Sequence, residues 1–527
     1  MSELIHDLLL GSAARTPRLE ALTYQGKRLD YETAAVRVRE CAAGLLNLGL
    51  GRSERVAVYL EKRFETVIAV FGAAAAGGVF VPVNPLLKPD QVAYILKDCD
   101  VRILITSAER LKVLAPTLHQ CPDLHTVVVA GGGTERAAGL NCVAWESAFS
   151  GAAGARAHRV IDTDMAAILY TSGSTGKPKG VVLSHRNMVA GARSVAQYLE
   201  NREQDRILSA LPLSFDAGFS QLTTAFHAGA SITLINYLVP RDIVSAVVKE
   251  RITGLTAVPP LWIQLAQLEW PEGARDSLRY IANTGGRMPK ATLDLLRAAL
   301  PRTLVYLMYG LTESFRSTFL PPSEIDRRPD SIGKAIPNAE VLVVREDGTP
   351  CAPGEPGELV HRGALVSLGY WNDPEKTAER FKPAPGRPTG LVMPEIAVWS
   401  GDTVRMDEEG YLYFISRRDE MIKTSGYRVS PTEVEEVLYA TGMVGEAAAF
   451  GVPHPVLGQA IVVVATPRDG ARLDAQELLA QCRQRLPAFM VPARVTVRAG
   501  SLPRNPNGKI DRKSIAQEMQ NLFEGGA

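Results

Sequence analysis

Apolar and polar positions change rhythm three times along the chain. Between 56 and about 130, the runs VAVYL (56–60), VFVPV (79–83), VRILIT (101–106) and TVVVA (126–130) alternate with helical patterns over 64–76 and 89–99. That alternation predicts βαβ units around a largely parallel sheet. The same rhythm returns from 206 to 313. There RILSALPL, SITLIN, GLTAVPP, RYIANTGG and LVYLMYG read as strands, separated by helical patterns such as 241–250 and 289–300. After about 330 the pattern changes to short strands at 339–344, 357–363, 397–402 and 411–417, with Gly and Pro between them and a Pro/Gly-rich loop at 383–396. A small β-rich unit is expected there. From about 419 a compact α+β unit follows. Ser430-Pro431-Thr432-Glu433 reads as a capping box with Pro at the first helical position, ahead of an apolar stripe of Val434, Val437 and Leu438. Strands are expected at 460–466 and 493–498. The fold class is α/β: a large N-terminal domain (1–418) of layered α/β subdomains plus the β-rich unit, then a small α+β C-terminal domain (419–527).

Composition narrows the function. At 527 residues and 46% hydrophobic, the chain can bury a large core, and with 22% charged residues it is no candidate for disorder. Lys+Arg number 58 against 57 Asp+Glu, a net charge of +1, which argues against a nucleic-acid binder. The six cysteines are sparse and none share metal-ligand spacing, so a reducing, cytoplasmic setting is expected. The N-terminal segment has no apolar core of signal-peptide type, and no apolar run reaches membrane-spanning length.

The strongest chemical signal is Tyr170-Thr171-Ser172-Gly173-Ser174-Thr175-Gly176-Lys177-Pro178-Lys179-Gly180, between two apolar runs. Glycines let backbone N–H groups converge on an anion, hydroxyls add donors and lysines add positive charge, so this reads as a phosphate cradle. It is not a Walker A loop, because too few residues separate Gly173 from Gly176-Lys177 and Pro178 stands where a magnesium-binding hydroxyl belongs.

The eleven-residue segment resembles the phosphate loop of the adenylate-forming superfamily: acyl-CoA synthetases, peptide-synthetase adenylation domains and luciferases. Further segments match in order. Tyr309-Gly310-Leu311-Thr312-Glu313 is similar to the motif that stacks adenine and helps hold magnesium. Asp402, after Ser400-Gly401, is similar to the ribose-binding aspartate. Arg417-Arg418-Asp419 is similar to the second ribose contact and hinge, Lys423 to Arg428 to the loop after the hinge, and Pro506-Asn507-Gly508-Lys509 to the segment of the catalytic lysine. More narrowly, HRNMVAGARSVAQYLENR, LPLSFDAGFSQLTTAF and MYGLTESFRSTFLPP resemble exosortase A-associated acyl-CoA ligases.

The resemblance implies an ATP-dependent, AMP-forming carboxylate ligase that needs ATP and Mg2+. It makes an acyl-adenylate and passes the acyl group to a thiol, either CoA or the phosphopantetheine of a separate carrier protein. It implies catalytic roles for Lys509, Thr175, Lys177 and Glu313, with Glu313 and Thr175 toward the metal. Nucleotide contacts are implied for Thr171, Ser172, Gly173, Ser174, Gly176, Gly285, Gly286, Tyr309, Gly310, Thr312, Asp402, Arg417, Gly426 and Arg428, the last also readable, less readily, as a surface arginine. Asp419 is implied to be the hinge of a mobile C-terminal domain. The carboxylate pocket is implied near Phe215, Asp216, Trp262, Thr284 and Met308.

Two residues stay open. In amino-acid-activating relatives an aspartate placed like Asp216 pairs with the substrate ammonium, but Asp216 is also positioned to cap a helix starting near Gly218. Arg287 stands in the adenine-side loop where relatives carry a small residue; it either faces solvent or reaches a carrier or substrate.

Overall fold

A computed structural model of the chain describes residues 3–132, 136–171, 178–386, 390, 392–417, 420–424, 427–454, 457–468 and 472–523. Two α/β sheets form its bulk. One has nine strands in the order Lys334–Ala335, Thr318–Leu320, Leu304–Tyr309, Tyr280–Asn283, Gly254–Ala257, Arg206–Ser209, Ser231–Leu234, Glu20–Tyr24, Lys27–Asp30. Its run from Leu304–Tyr309 to Glu20–Tyr24 is parallel throughout. The other has seven strands and is parallel except for its last pair, Met165–Thr171 with Lys179–Ser184. The alternating rhythm of the sequence therefore corresponds to helix-covered parallel sheets, whose strands are buried on both faces.

Helices Phe64–Ala76 and Asp216–Ala228 share one apolar core with both sheets. Phe219 stacks on Phe80 at 5.0 Å and on Phe71 at 6.2 Å between ring centroids. Every residue from Asp216 to Phe226 is buried, so this helix has no solvent face. Its approach to the preceding loop depends on Gly218: a Cβ there would stand 1.9 Å from the carbonyl oxygen of Pro212. Gly218→Ala must push the 210–215 segment aside. Overpacking of this kind typically costs about 1–3 kcal/mol. A lowered urea midpoint is expected, and an unchanged midpoint would show that the loop yields freely.

The β-rich unit is a five-stranded antiparallel sheet, with Ile396–Met406 flanked by Gly357–Gly363 and by Phe381–Pro383 and Leu412–Arg417. The final unit is a second five-stranded sheet carrying helices Pro431–Tyr439, Ala475–Arg485 and Arg512–Glu518. Two apolar clusters inside it draw only on residues after 420, so it has a core of its own.

One local expectation is corrected. Ser430 precedes helix Pro431–Tyr439, but its hydroxyl does not cap it. It donates instead to the carbonyl of Ile415 at 2.6 Å, tying the helix to strand Leu412–Arg417. A tertiary acceptor has won over the local one. Among the described residues no helix is long and apolar enough to cross a membrane.

Candidate active site

The phosphate-cradle segment sits on the hairpin of Met165–Thr171 and Lys179–Ser184, where Thr171 and Lys179 are paired across the ladder. Residues 172–177, and with them Ser172, Gly173, Ser174, Thr175, Gly176 and Lys177, lie outside the described residues. The base of the hairpin reaches Glu313 through Tyr370. The Lys179 ammonium lies 5.3 Å over the Tyr370 ring, and the Tyr370 hydroxyl donates to Glu313 Oε1 at 2.6 Å. Glu313 and Thr312 form a short 3-10 turn, Thr312–Ser314, following Leu304–Tyr309. A half-buried carboxylate with one oxygen held in place suits magnesium, which commonly takes one or two protein carboxylates and fills its shell with phosphate and water.

The nucleoside side is built from two strand ends. The Tyr309 hydroxyl donates to Asp402 Oδ2 at 2.6 Å, and Arg417 Nε lies 3.4 Å from Asp402 Oδ1. Asp402 and Arg417 face each other in the antiparallel ladder, so the pairing register itself brings them together. Asp402 is only 2% exposed, and burial pushes its carboxyl upward while Arg417 and the Tyr309 hydroxyl draw it back. Gly310 packs against the backbone of Arg316, where a Cβ would come to 3.1 Å.

Lys509 is set on a turn of the C-terminal unit. Its turn is built by Asn505, whose Oδ1 accepts from the backbone N–H groups of Asn507 and Lys509, both at 3.0 Å. Gly508 takes the left-handed conformation at φ 82°, which glycine adopts without penalty. The Lys509 ammonium lies 5.6 Å from the centre of the Phe215 ring. Gly285, at φ 76°, makes room for it, since a Cβ there would be 3.0 Å from Lys509 Cε. Asn283 holds that loop by donating to the carbonyl of Gly286 at 2.8 Å. Burial and then Arg417 lower the affinity of Lys509 for its proton, while Asp216 and Asp402 raise it.

On the acyl side, Asp216 is the first residue of its helix, Phe215 occupies the cap position, and no side-chain cap is made. The capping alternative is therefore corrected. The carboxylate instead meets Arg316, with Nη1 3.4 Å from Oδ2 and both residues buried. Burial raises the Asp216 carboxyl against the pull of Arg316 and Lys509. Met308 and Arg316 line a small cavity beneath this pair, with room for about one water molecule. Thr284 is buried at the end of Tyr280–Asn283, with its N–H on the carbonyl of Ala257 at 3.1 Å. Trp262 donates to the same carbonyl at 3.1 Å and is packed wholly within the core beside the nine-stranded sheet.

Sequence reasoning missed Arg316, Tyr370, Asn505 and Lys62. The Lys62 ammonium donates to the carbonyls of Ala210 and Leu211 at 2.9 and 3.2 Å, anchoring the loop that carries Phe215, and burial pushes it down to about 7. Only Arg316 carried a readable signal, a guanidinium inside the otherwise small and apolar stretch SFRSTFL.

Arg287 is settled as an inter-unit contact. It pairs with Asp330 at 2.7 Å and approaches Glu436, on helix Pro431–Tyr439, at 3.9 Å. Glu436 also accepts from the Lys290 N–H at 3.0 Å. Asn84 donates to the carbonyl of Pro506 at 2.6 Å, and Arg468 donates to Gln267 at 2.5 Å. Gly426, Asp419 and the side chain of Arg428 lie outside the described residues.

Two family models cover this arrangement: "AMP-binding enzyme" over residues 10–371, and "AMP-binding enzyme C-terminal domain" over residues 433–509. The chain belongs to the AMP-binding enzyme family. It is 31% identical to the L-proline--[L-prolyl-carrier protein] ligase of Pseudomonas fluorescens, over 98% of this chain and all of that protein. It is 32% identical to the long-chain-fatty-acid--CoA ligase FadD13 of Mycobacterium tuberculosis, over 97% of each. The solved structure of the Bacillus subtilis o-succinylbenzoate coenzyme A synthetase with ATP and magnesium ion superposes with a TM-score of 0.81, at 26% identity over 96% of this chain and 98% of that one. The AMP-binding enzyme is accordingly an AMP-forming acid–thiol ligase with the two-part fold of its family.

Proposed function

We propose that the enzyme joins a small carboxylic acid to ATP as an acyl-adenylate, releasing pyrophosphate, and then delivers the acyl group to the thiol of CoA. The observation that carries this reading is the seat of Lys509, on a turn built by Asn505 and against Phe215 and Gly285. Attack of a carboxylate on the α-phosphate brings two anions together. A cation held by a rigid turn at their junction stabilises the charge where it develops. Tyr309, Asp402 and Arg417 hold the nucleoside, with Asp402 accepting from ribose hydroxyls. Thr171 and the segment after it, together with Gly285, Gly286, Gly310 and Thr312, approach the phosphates and adenine. Glu313, steadied by Tyr370, would hold magnesium together with Thr175. The metal, when bound, neutralises charge on phosphate oxygens.

Thiol transfer needs the space that Lys509 fills. The separate cores after residue 420 support a C-terminal unit, 419–527, that pivots near Asp419 once the adenylate has formed. A second reading keeps the first half-reaction and changes the acceptor to a phosphopantetheinyl carrier protein, favoured by the full-length match to the prolyl-carrier ligase. The deciding experiment measures pyrophosphate release over a panel of carboxylic acids, then supplies CoA or a holo-carrier protein and identifies the thioester by mass. Thioester on CoA supports the first reading and thioester on the carrier alone the second. No pyrophosphate release from any acid would overturn both.

A further inference from the structure

One stretch of chain, from His361 to Trp371, is laced to both the phosphate hairpin and the turn that carries Glu313. Along the hairpin, the Leu368 N–H donates to the Val182 carbonyl at 2.8 Å, the Val182 N–H to the Gly369 carbonyl at 2.9 Å, and the Trp371 N–H to the Gly180 carbonyl at 2.7 Å. At the turn, the Ser367 N–H donates to the Glu313 carbonyl at 2.9 Å, and the Tyr370 hydroxyl donates to the Glu313 carboxylate at 2.6 Å.

His361 makes a third hold. It lies on Gly357–Gly363, paired with Val341 on one side and Val398 on the other, and is wholly buried. A valine would pack there as well, whereas a buried polar group is costly unless it is hydrogen-bonded. Its partner lies outside the sheet. His361 Nδ1 is 3.0 Å from Ser317 Oγ, which is itself 3.0 Å from Ser314 Oγ, and both serines are fully buried. Between them Phe315 takes φ 55°, a conformation that bulky residues rarely adopt, and the kink folds Ser317 back onto the turn.

The network has one direction. His361 Nε2 has no partner. Buried N–H groups without acceptors are rarer than acceptors left short, so the ring proton is assigned to Nδ1. Nδ1–H then donates to Ser317, whose hydroxyl donates to Ser314, the residue after Glu313. Burial pushes the imidazole down to about 4, so the ring stays neutral at ordinary pH.

We propose that His361 is a positioning residue for Glu313, fixing through Ser317 and Ser314 the turn on which the magnesium carboxylate stands. The inference rests on the ligase reading above, in which Glu313 takes the metal. With Tyr370 on the carboxylate and Ser367 on the backbone, the His361 chain adds a hold on the following residue.

The test is Mn2+ binding by the full chain in the presence of α,β-methylene-ATP, which cannot release pyrophosphate, read as loss of the free-ion signal in electron paramagnetic resonance. Glu313→Gln sets the loss when the carboxylate itself is gone. His361→Leu keeps bulk and removes the donor. Its Mn2+ binding is expected to weaken about three- to tenfold, the scale of one hydrogen bond, with the KM for the carboxylic acid unchanged. His361→Asn puts an amide N–H near the place of Nδ1 and is expected to restore most of the binding. His361→Gln, whose amide reaches toward the place of Nε2, is expected not to. Ser314→Ala cuts the far end of the chain by a smaller change and should reproduce the His361→Leu loss, while the double variant should lose no more than either alone. It also decides the matter if the urea midpoint shows that His361→Leu fails to fold. Wild-type Mn2+ binding in Ser314→Ala, equal rescue by Asn and Gln, or losses that add would overturn the inference and leave the ligase reading standing. If Glu313→Gln binds Mn2+ as wild type does, the metal role of Glu313 falls and the inference with it.

Discussion

Lys509→Ala is expected to slow adenylate formation by about 10²–10³, or ~3–4 kcal/mol, the range found when one pre-positioned transition-state donor is lost. The size follows from its setting. Lys509 is packed against Phe215 and Gly285, on a turn fixed by Asn505. Thiol transfer from supplied acyl-adenylate should change far less, because the proposed pivot carries Lys509 away before that step. The two half-reactions are measured separately, by pyrophosphate release and by thioester formation from synthetic adenylate. Equal losses in both would rule out the division of labour.

The second large effect is expected at Asp402. Asp402→Ala removes the acceptor of the Tyr309 hydroxyl and the partner of Arg417 together with the proposed ribose contact. Asp402 is buried but Arg417 is about half exposed, so solvent takes up the freed guanidinium. The loss lies at the lower end of the about 2–5 kcal/mol typical of a buried charge pair. The KM for ATP should rise on the order of 10²-fold or more, and KM for the carboxylate much less. Tyr309→Phe separates the contributions. It keeps the aromatic face and the carboxylate and removes only the hydroxyl, so a rise of about tenfold, near 1.4 kcal/mol, is expected. If Asp402→Ala raised both KM values equally, Asp402 would be supporting the fold of the β-rich strand rather than the nucleotide.

The strand–helix rhythm made the two parallel sheets legible, because strands buried on both faces leave continuous apolar runs. Their ends were less visible. RILSALPL reads as one strand, but it stops at Ser209, where the carbonyls of Ala210 and Leu211 turn to Lys62 from a different part of the chain. Ser430 failed as a cap for the same reason: Ile415, far off in sequence, offered the better acceptor. Tyr309, Glu313, Asp402 and Lys509 each sit in a dense motif, and the structure adds the Tyr309–Asp402 hydrogen bond and the ladder register that brings Asp402 to Arg417. Asp216 was legible only as either an ammonium-binding carboxylate or a helix cap, and its actual partner was not legible. Arg316 lies 100 residues away and is aimed by a kink at Phe315 that no local pattern announces.

Among the described residues, several contacts that seat the C-terminal unit are polar ones that water can replace. Arg287 and the Lys290 N–H on Glu436, Asn84 on the Pro506 carbonyl and Arg468 on Gln267 are hydrogen bonds or ion pairs at the edge of the large domain. The Arg287–Glu436 pair is partly exposed, and surface pairs are worth about 0–1 kcal/mol, since solvent repays most of what parting them costs. A greasy seam of equal area would have to wet as it opened and would hold the unit shut. Where the seam is polar, opening exchanges one set of hydrogen bonds for another, which lowers the cost of turning. Ionic strength, which weakens the charged contacts on one side of that balance, becomes a handle on which half-reaction limits turnover.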